Sequence, residues 1–220
     1  MPMNTFLHLL IPLLRGALVT AEITAGAIAL CAVAASLAAL ARLSGIAPVA
    51  WLARIYIEIF RGTSAMIQLF WVFYVLPFFH VSLSPMFSAI LVMGLNGGAY
   101  GAEIIRGAVV AVPRGQLDAA VAINLPLFSR IGRVIIPQAL PRIVPPMANL
   151  FIDILKNSAL AGLVTVSDLT FQAQVLREST LANGEVYGLA MLIYFALAMV
   201  ISLLMRLLER RIRFPVGSRA

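Results

Sequence analysis

Between Ile23 and Leu40 the chain reads ITAGAIALCAVAASLAAL, eighteen residues without a charge. A helix that spans a bilayer needs about 20 mostly apolar residues, so this stretch sets the fold class. Gly62–Phe79, Pro85–Ala102 and Tyr187–Met205 repeat the pattern. A weaker run, Ile143–Val164, is interrupted by Asn149, Asp153, Lys156 and Asn157. Composition agrees: 62% of the 220 residues are hydrophobic, 11% are charged, and the mean hydropathy is +1.00. Soluble domains carry about 25% charged residues. No repeat and no linker divides the chain. The expectation is one all-α transmembrane domain over residues 1–220, with five spanning helices at about 17–41, 62–80, 85–112, 142–164 and 186–208. The residues before Arg15 include Pro12 and lack both a basic start and a small-residue cleavage site. They read as mature protein and not as a signal peptide.

The formal net charge is +7, carried by 15 arginines and one lysine against nine acids. Cytoplasmic loops collect Lys and Arg. Arg42, Arg54 and Arg61 lie between the first two predicted spans. Arg106, Arg114, Arg130, Arg133 and Arg142 belong to the third loop, and Arg206, Arg210, Arg211, Arg213 and Arg219 follow the last span. Thirteen of the sixteen basic residues therefore fall on one side. Arg15 and Arg177 fall on the other, with Asp168, Glu178 and Glu185. The N-terminus is expected outside and the C-terminus in the cytoplasm. The basic residues are scattered, so nothing points to nucleic acid. Cys31 stands alone, His8 and His80 are isolated, and no metal or cofactor is expected.

Residues 113–141 form the one long predicted cytoplasmic loop. Pro113 and Gly115 stop the third span. Gln116–Ile123 reads as a short helix with Leu117, Ala120 and Val121 on one face. Asn124 suits a left-handed helix end. Leu125–Ile136 reads as a second short helix, closed by Pro137 and Pro141. Two bent short helices near the membrane surface can fit a groove on a soluble partner, or they can simply anchor the loop at the interface.

The spacing Asp118-Ala119-Ala120, three residues, Asn124, nine residues, Val134-Ile135-Ile136-Pro137 resembles the signature loop of ABC importer permeases. That loop reads Glu-Ala-Ala, three residues, Gly, nine residues and a hydrophobic triplet ending in Pro. Asp118 and Asn124 depart from it while keeping the charge and the turn chemistry. Arg61-Gly62-Thr63, Gln68-Leu69, Ala99-Tyr100, Glu103, Arg106-Gly107, Val112-Pro113, Gly115-Gln116, Pro137–Leu140, Pro145-Pro146, Asn149 and Lys156 resemble the polar amino acid branch of the same family. The likeness covers residues 16–208. Ser64 stands where that branch usually has Pro, and Lys156-Asn157-Ser158-Ala159-Leu160 where it has Lys-x-Thr-Ser-Leu. The resemblance implies a permease whose loop, through Gly115, Asp118, Ala119, Ala120, Asn124 and Pro137, docks on an ATP-hydrolysing subunit. It also implies two ATP-binding cassette subunits, an extracytoplasmic solute-binding protein and a bacterial inner membrane whose lipid surrounds the chain. Leu95–Glu103 and Ser167–Gln174 look most like permeases for ectoine and hydroxyectoine; an ordinary amino acid or opine is the alternative. No Gly-x-x-x-x-Gly-Lys phosphate loop surrounds the only lysine, Lys156, so ATP hydrolysis belongs to another chain. No catalytic motif is present either. A secondary transporter or channel working without an ATPase is the rival reading.

A Lys or Asp near mid-bilayer costs about 2.5–3.5 kcal/mol. Asp153 and Lys156 share a helix face and can pair. Either they form a structural pair against a neighbouring helix, or they line a solute path together with Asn96, Asn149 and Asn157. Asn96-Gly97-Gly98 permits close helix contact or local unwinding. Glu103–Arg106 and Glu58–Arg61 read as structural pairs, and Glu22 as a snorkelling end residue. Five helices are few for a solute path, so a second permease chain, the same or similar, is expected.

Overall fold

The computed structural model of the protein describes residues 3–212, and every regular element among them is helical. Arg213 and Arg219, counted above with the C-terminal basic cluster, lie outside the described residues. The elements are α1 (Met3–Leu43), α2 (Ala47–Gly62), α3 (Ala65–Phe70), α4 (Pro85–Val110), α5 (Arg114–Ala122), α6 (Leu127–Arg130), α7 (Ile136–Asn157), α8 (Leu169–Thr180) and α9 (Asn183–Ile212). A π turn (Trp71–Val75) and a 3-10 turn (Leu76–Phe79) prolong α3. A second π turn (Ile131–Ile135) joins α6 to α7, and a 3-10 stretch (Ser158–Val164) ends that rod. Four stretches are long and apolar enough to cross a membrane: His8–Leu43, Pro85–Val110, Leu127–Val164 and Asn183–Ile212.

Small residues decide how the bundle closes. A Cβ built on Gly94 would lie 2.7 Å from Leu30 atoms, one on Gly98 would lie 2.7 Å from the Ala34 Cβ, and one on Gly101 would lie 2.8 Å from the Ala35 Cβ. Contacts thus advance together along α1 and α4, from Gly26 against Ile90 to Ala35 against Gly101. The two helices run parallel. Close approach of backbones is what glycine and alanine permit where no hydrophobic effect separates helix from lipid. The alanine-rich first helix is a packing helix because its partner needs that flatness. Against α7 the order reverses, with Gly97 meeting Ile154 and Gly101 meeting Leu150 and Met147, so α4 and α7 are antiparallel.

Two parallel helices need a return segment, and residues 47–79 supply it. This departs from the sequence expectation, which left Arg42–Arg61 as loop and began a straight helix at Gly62. Instead Ala47–Gly62 is helical, started by Pro48 in its first turn, and meets Ala65–Phe79 at a bend of 104°. Ala53 and Ile57 bury one side of α2, and Ile57 joins Ala38, Ala39 and Ala102 in a cluster. The Tyr56 hydroxyl donates to the Leu95 carbonyl oxygen at 2.6 Å. Arg54, Glu58 and Arg61 line the exposed face of α2, away from the buried Ala53 and Ile57; counted only as loop charge, they concealed this amphipathic pattern.

The stretch expected as a second loop helix closed by Pro137 differs as well. Pro137 lies in the first turn of α7, and Pro141, Pro145 and Pro146 lie inside it. The helix therefore runs from Leu127 to Val164 and not from 142, and only α5 and the short turns beside it separate α4 from this rod. A proline removes an N–H and crowds the carbonyl four residues back. The wide π turn at Ile131–Ile135 falls immediately before the first proline, where extra room is needed.

α1, at about 1.5 Å per residue, is roughly 60 Å long and overshoots a ~30 Å hydrocarbon core. Its first half packs on α8 and α9, with Leu9, Leu13, Ala17, Leu169, Ala173, Val186 and Ala190 buried together. The sequence reading had no helix at α8. Asp168 caps it, its Oδ1 accepting the Phe171 N–H at 3.0 Å. The Leu169 N–H donates to the Thr20 hydroxyl of α1 at 3.0 Å. Asp168 is fully buried, and burial pushes its carboxyl up to about 6.

The parallel seam is directly testable. Gly98→Ala drives a methyl into Ala34 and to 2.8 Å from the Tyr56 hydroxyl, and overpacking of this kind costs about 1–3 kcal/mol. Gly107→Ala meets nothing within 4 Å and gains about 1 kcal/mol of helix propensity. Thermal unfolding in detergent should move in opposite directions for the two variants.

Candidate functional site

Where α2 gives way to α3, the Phe60 carbonyl loses its helical partner. Asn96 of α4, nine-tenths buried, donates its Nδ2 to that carbonyl at 2.9 Å. Gln68 donates to the same carbonyl at 3.0 Å and to the Thr63 hydroxyl at 2.6 Å, and Asn96 donates to the Gln68 Oε1 at 3.2 Å. Broken helices persist at membrane depth only when such groups are satisfied or face a cavity. Asn96 thus spends its amide on the break, which the sequence reading did not foresee. The signal for it was Gln68 standing in an apolar run six residues after Gly62.

Beside the break lies an open cavity of about 700 Å3. The break contributes Thr63, Ser64 and Met66, α4 contributes Met93, Asn96, Gly97 and Tyr100, and α7 contributes Leu150, Asp153, Lys156 and Asn157. Four of the five expected path residues therefore meet here. Asn149 does not: it faces a separate cavity with Arg61, Tyr100 and Glu103. Among the described residues the side chains of Ser64 and Asn157 make no hydrogen bond, so both are open to a solute. Lys156 Nζ and Asp153 Oδ1 are 3.5 Å apart, with side chains 69% and 61% exposed. Among the described residues neither side chain bonds to another helix, so the pair is not held by a hydrogen bond or ion pair to a neighbouring helix of the same subunit. A pair this loose and exposed contributes little by itself.

Of the expected structural pairs, Glu103–Arg106 forms at 2.7 Å, with Arg42 4.0 Å from Glu103. Glu58 pairs with Arg54 at 2.6 Å and not with Arg61. Arg61 has no ion pair among the described residues; its Cζ lies 5.2 Å from the centre of the Tyr100 ring.

In the loop, α5 ends as expected on a left-handed Asn124 (φ 54°), with the Leu125 N–H bonded to the Ala120 carbonyl. Gly115, Asp118, Ala119 and Asn124 are exposed. Ala120 is buried at 4% in the chain's own fold, and Pro137 is half-buried inside the long rod. The loop's protruding surface was not singled out in the sequence: Ile123 is 72% exposed and Phe128 87%. The Arg142 guanidinium donates to the Ala111 carbonyl and ties the two ends of the loop.

Residues 32–214 match the family of binding-protein-dependent transport system inner membrane components. The chain belongs to that family. It is 42% identical over 204 residues to a probable amino-acid ABC transporter permease of Sinorhizobium fredii, covering 90% of this chain and 86% of that protein. It is 38% identical to an L-cystine transport system permease of Bacillus subtilis, over 81% of this chain and 76% of that one. A glutamine transport system permease of Escherichia coli is 34% identical, over 73% and 74% of the two chains. The crystal structure of an amino acid ABC transporter with histidines superposes with a TM-score of 0.87 at 31% identity, over 96% of this chain and 99% of that one. An inward-facing methionine ABC transporter shares the fold at a TM-score of 0.77 and 20% identity, over 93% and 98% of the chains. This is a permease subunit of an ABC amino-acid importer, a multi-pass inner-membrane protein whose homologues are transport subunits.

Asn96→Leu should leave the Phe60 carbonyl and the Gln68 amide short of a partner and cost about 1–3 kcal/mol. Asn157→Ala removes an exposed, unbonded side chain and should leave the unfolding midpoint within about half a kcal/mol. Equal midpoints for the two variants would contradict the role given to Asn96.

Proposed function

We propose that this permease moves a zwitterionic amino acid along the α7 face carrying Asp153, Lys156 and Asn157, at the seam with a second permease chain. The observation that carries this reading is the exposure of Asp153 and Lys156 in the second half of α7, on a helix long and apolar enough to cross the membrane. Facing lipid, each would cost about 2.5–3.5 kcal/mol or more. Facing a water-filled seam between two subunits, each can meet the opposite charge of a solute. Ser64 and Asn157 add neutral hydrogen-bonding groups on the same side. The chain then crosses five times, the bent pair 47–79 counting as one span between parallel α1 and α4. Its arginine-rich end, with Arg42, Arg106, Arg114 and Arg142, faces the cytoplasm.

The named relatives support amino acids and cystine as solutes. Ectoine and hydroxyectoine rest on the resemblance of Leu95–Glu103 and Ser167–Gln174. Of the first segment Asn96, Gly97 and Tyr100 line the cavity while its glycines pack α4 against α1, and no residue of the second lines it. Amino acids and ectoine alike are zwitterions, and it is that shared class which the opposed charges of Asp153 and Lys156 suit. We assign the partners as two ATP-binding cassette subunits, a solute-binding protein outside and a second permease chain. Ile123, Leu127 and Phe128 form the knob that fits the ATPase, with Asp118 and Ala119 beside it.

Two experiments test this. Lys156→Met and Asp153→Asn should each strongly reduce uptake by the reconstituted transporter, with external capture by the binding protein unchanged. The double variant discriminates: protein level restored without uptake supports the path, whereas protein and uptake restored together identify a structural pair. Phe128→Glu should release the ATPase subunits while the permease still inserts, because it places a charge where the apolar knob docks. Co-purification at the unmodified level would remove Phe128 from the docking surface. Ala120→Glu is the wrong test here, since it would break the chain's own loop.

A further inference from the structure

Two cavities lie in series along α4 and α7. These helices are antiparallel, so both give the same order. Starting far from α5, Asn96 and Lys156 come first, then Tyr100 and Asp153, then Glu103 and Asn149. Tyr100, Leu150 and Asp153 line both cavities. The first, of about 700 Å3, holds Lys156. The second, of about 470 Å3 and nearer the α5 end, holds Arg61, Glu103 and Asn149. Asp153 is therefore an anion shared between two compartments, with one cation on each side of it.

Arg61 is the group that neither the packing nor the proposed path has used. The acids nearest it in sequence and space are engaged elsewhere, Glu58 with Arg54 and Glu103 with Arg106. Its guanidinium is instead held over the Tyr100 ring. A stacked guanidinium keeps its edge free, and that edge presents paired N–H donors suited to a carboxylate. Tyr100 thus both partitions the cavities and aims Arg61 at the second one.

We propose that Arg61 is a second carboxylate-binding position for the transported zwitterion. The solute's carboxylate passes from Lys156 to Arg61 while its ammonium stays at Asp153. The inference rests on reading the cavity as the solute path. Because about seven residues, or roughly 10 Å of helix, separate the two ends of this arrangement, a solute pivoting on Asp153 advances without either charge being abandoned. Glu103 of the second cavity is neutralised by Arg106, and Asn149 adds no charge, which leaves Arg61 to attract anions there.

The test uses the complete transporter, permease with its ATPase and binding-protein partners, in proteoliposomes. The probes are radiolabelled L-glutamine, L-cystine, L-histidine and ectoine. Arg61→Gln should slow uptake about tenfold, the weight of one charge-assisted hydrogen bond, while solute still binds the permease as before. Arg61→Lys should recover most of the rate. Asn149→Asp, at an exposed position, sets a carboxylate in the second cavity and should slow uptake similarly. Full uptake by Arg61→Gln overturns the proposal. So does an Arg61→Lys rate no better than that of Arg61→Gln at equal protein level, since stacking and not charge would then be at work. If Arg61→Gln does not accumulate, full uptake by Asn149→Asp overturns it instead. Lys156→Met, run in parallel, separates the two readings: undiminished uptake there removes the path itself, as does uptake of no probe by the unmodified transporter.

Discussion

Everything in this subunit depends on two helices lying parallel at glycine distance. Gly94, Gly98 and Gly101 leave no room between α4 and the alanines and Leu30 of α1. Van der Waals contact of this closeness is the chief attraction left to helices in lipid. Parallel neighbours cannot be joined by a tight turn, so the chain must travel back along the bundle through α2 and α3. That return segment crosses α4 at the height of Asn96, which is where the 104° bend falls. The seam therefore dictates the break, and the break dictates the cavity.

A helix break at membrane depth exposes backbone groups that lipid cannot satisfy. The chain meets this cost with two amides. Gln68 and Asn96 close the Phe60 carbonyl from two directions, and Thr63 gives its own hydroxyl to the Ile59 carbonyl at 2.7 Å. What remains unclosed, the Ser64 hydroxyl, points toward the charged side of α7. A structural necessity and a polar surface thus share one location, and only the residues not spent on the first are free to serve the second.

The sequence made the apolar runs, the basic end and the loop legible, because composition and charge act there without competition. It also placed Asn124 correctly, since few residues other than glycine accept a left-handed turn. It misplaced the start of the fourth spanning helix. Pro137 and Pro141 read as a stop, yet a π turn upstream gives the first of them room, and packing on α4 and α9 holds the rod. It missed α2 because three charges on its exposed face were counted as loop charge, and α8 because a twelve-residue helix outside the spans carries no strong hydropathy. It expected Ala120 on a docking face; the methyl is buried at 4% in the chain's own fold. Asn96 was legible as a polar residue in a span but not as the partner of a carbonyl 36 residues away, since such pairings exist only once the chains have crossed.

The unforeseen continuity of the rod has its own consequence for coupling. Phe128, at the tip of the proposed docking surface, and Asp153, in the cavity, belong to one helical stretch running from Leu127 to Val164. Twenty-five residues, about 38 Å at helical rise, separate them with no intervening loop. A displacement imposed at the tip need not be relayed between elements, because the same backbone carries it. The π turn and the prolines at 137, 141, 145 and 146 are the places where that backbone yields. They lie between the tip and the charges, so motion at Phe128 reaches Asp153 as a change of angle as well as of position. The glycine seam of α1 and α4 holds no proline, and its Gly97 and Gly101 also seat α7 at Ile154, Leu150 and Met147. The seam is thereby the stiff support against which the proline-bearing rod bends.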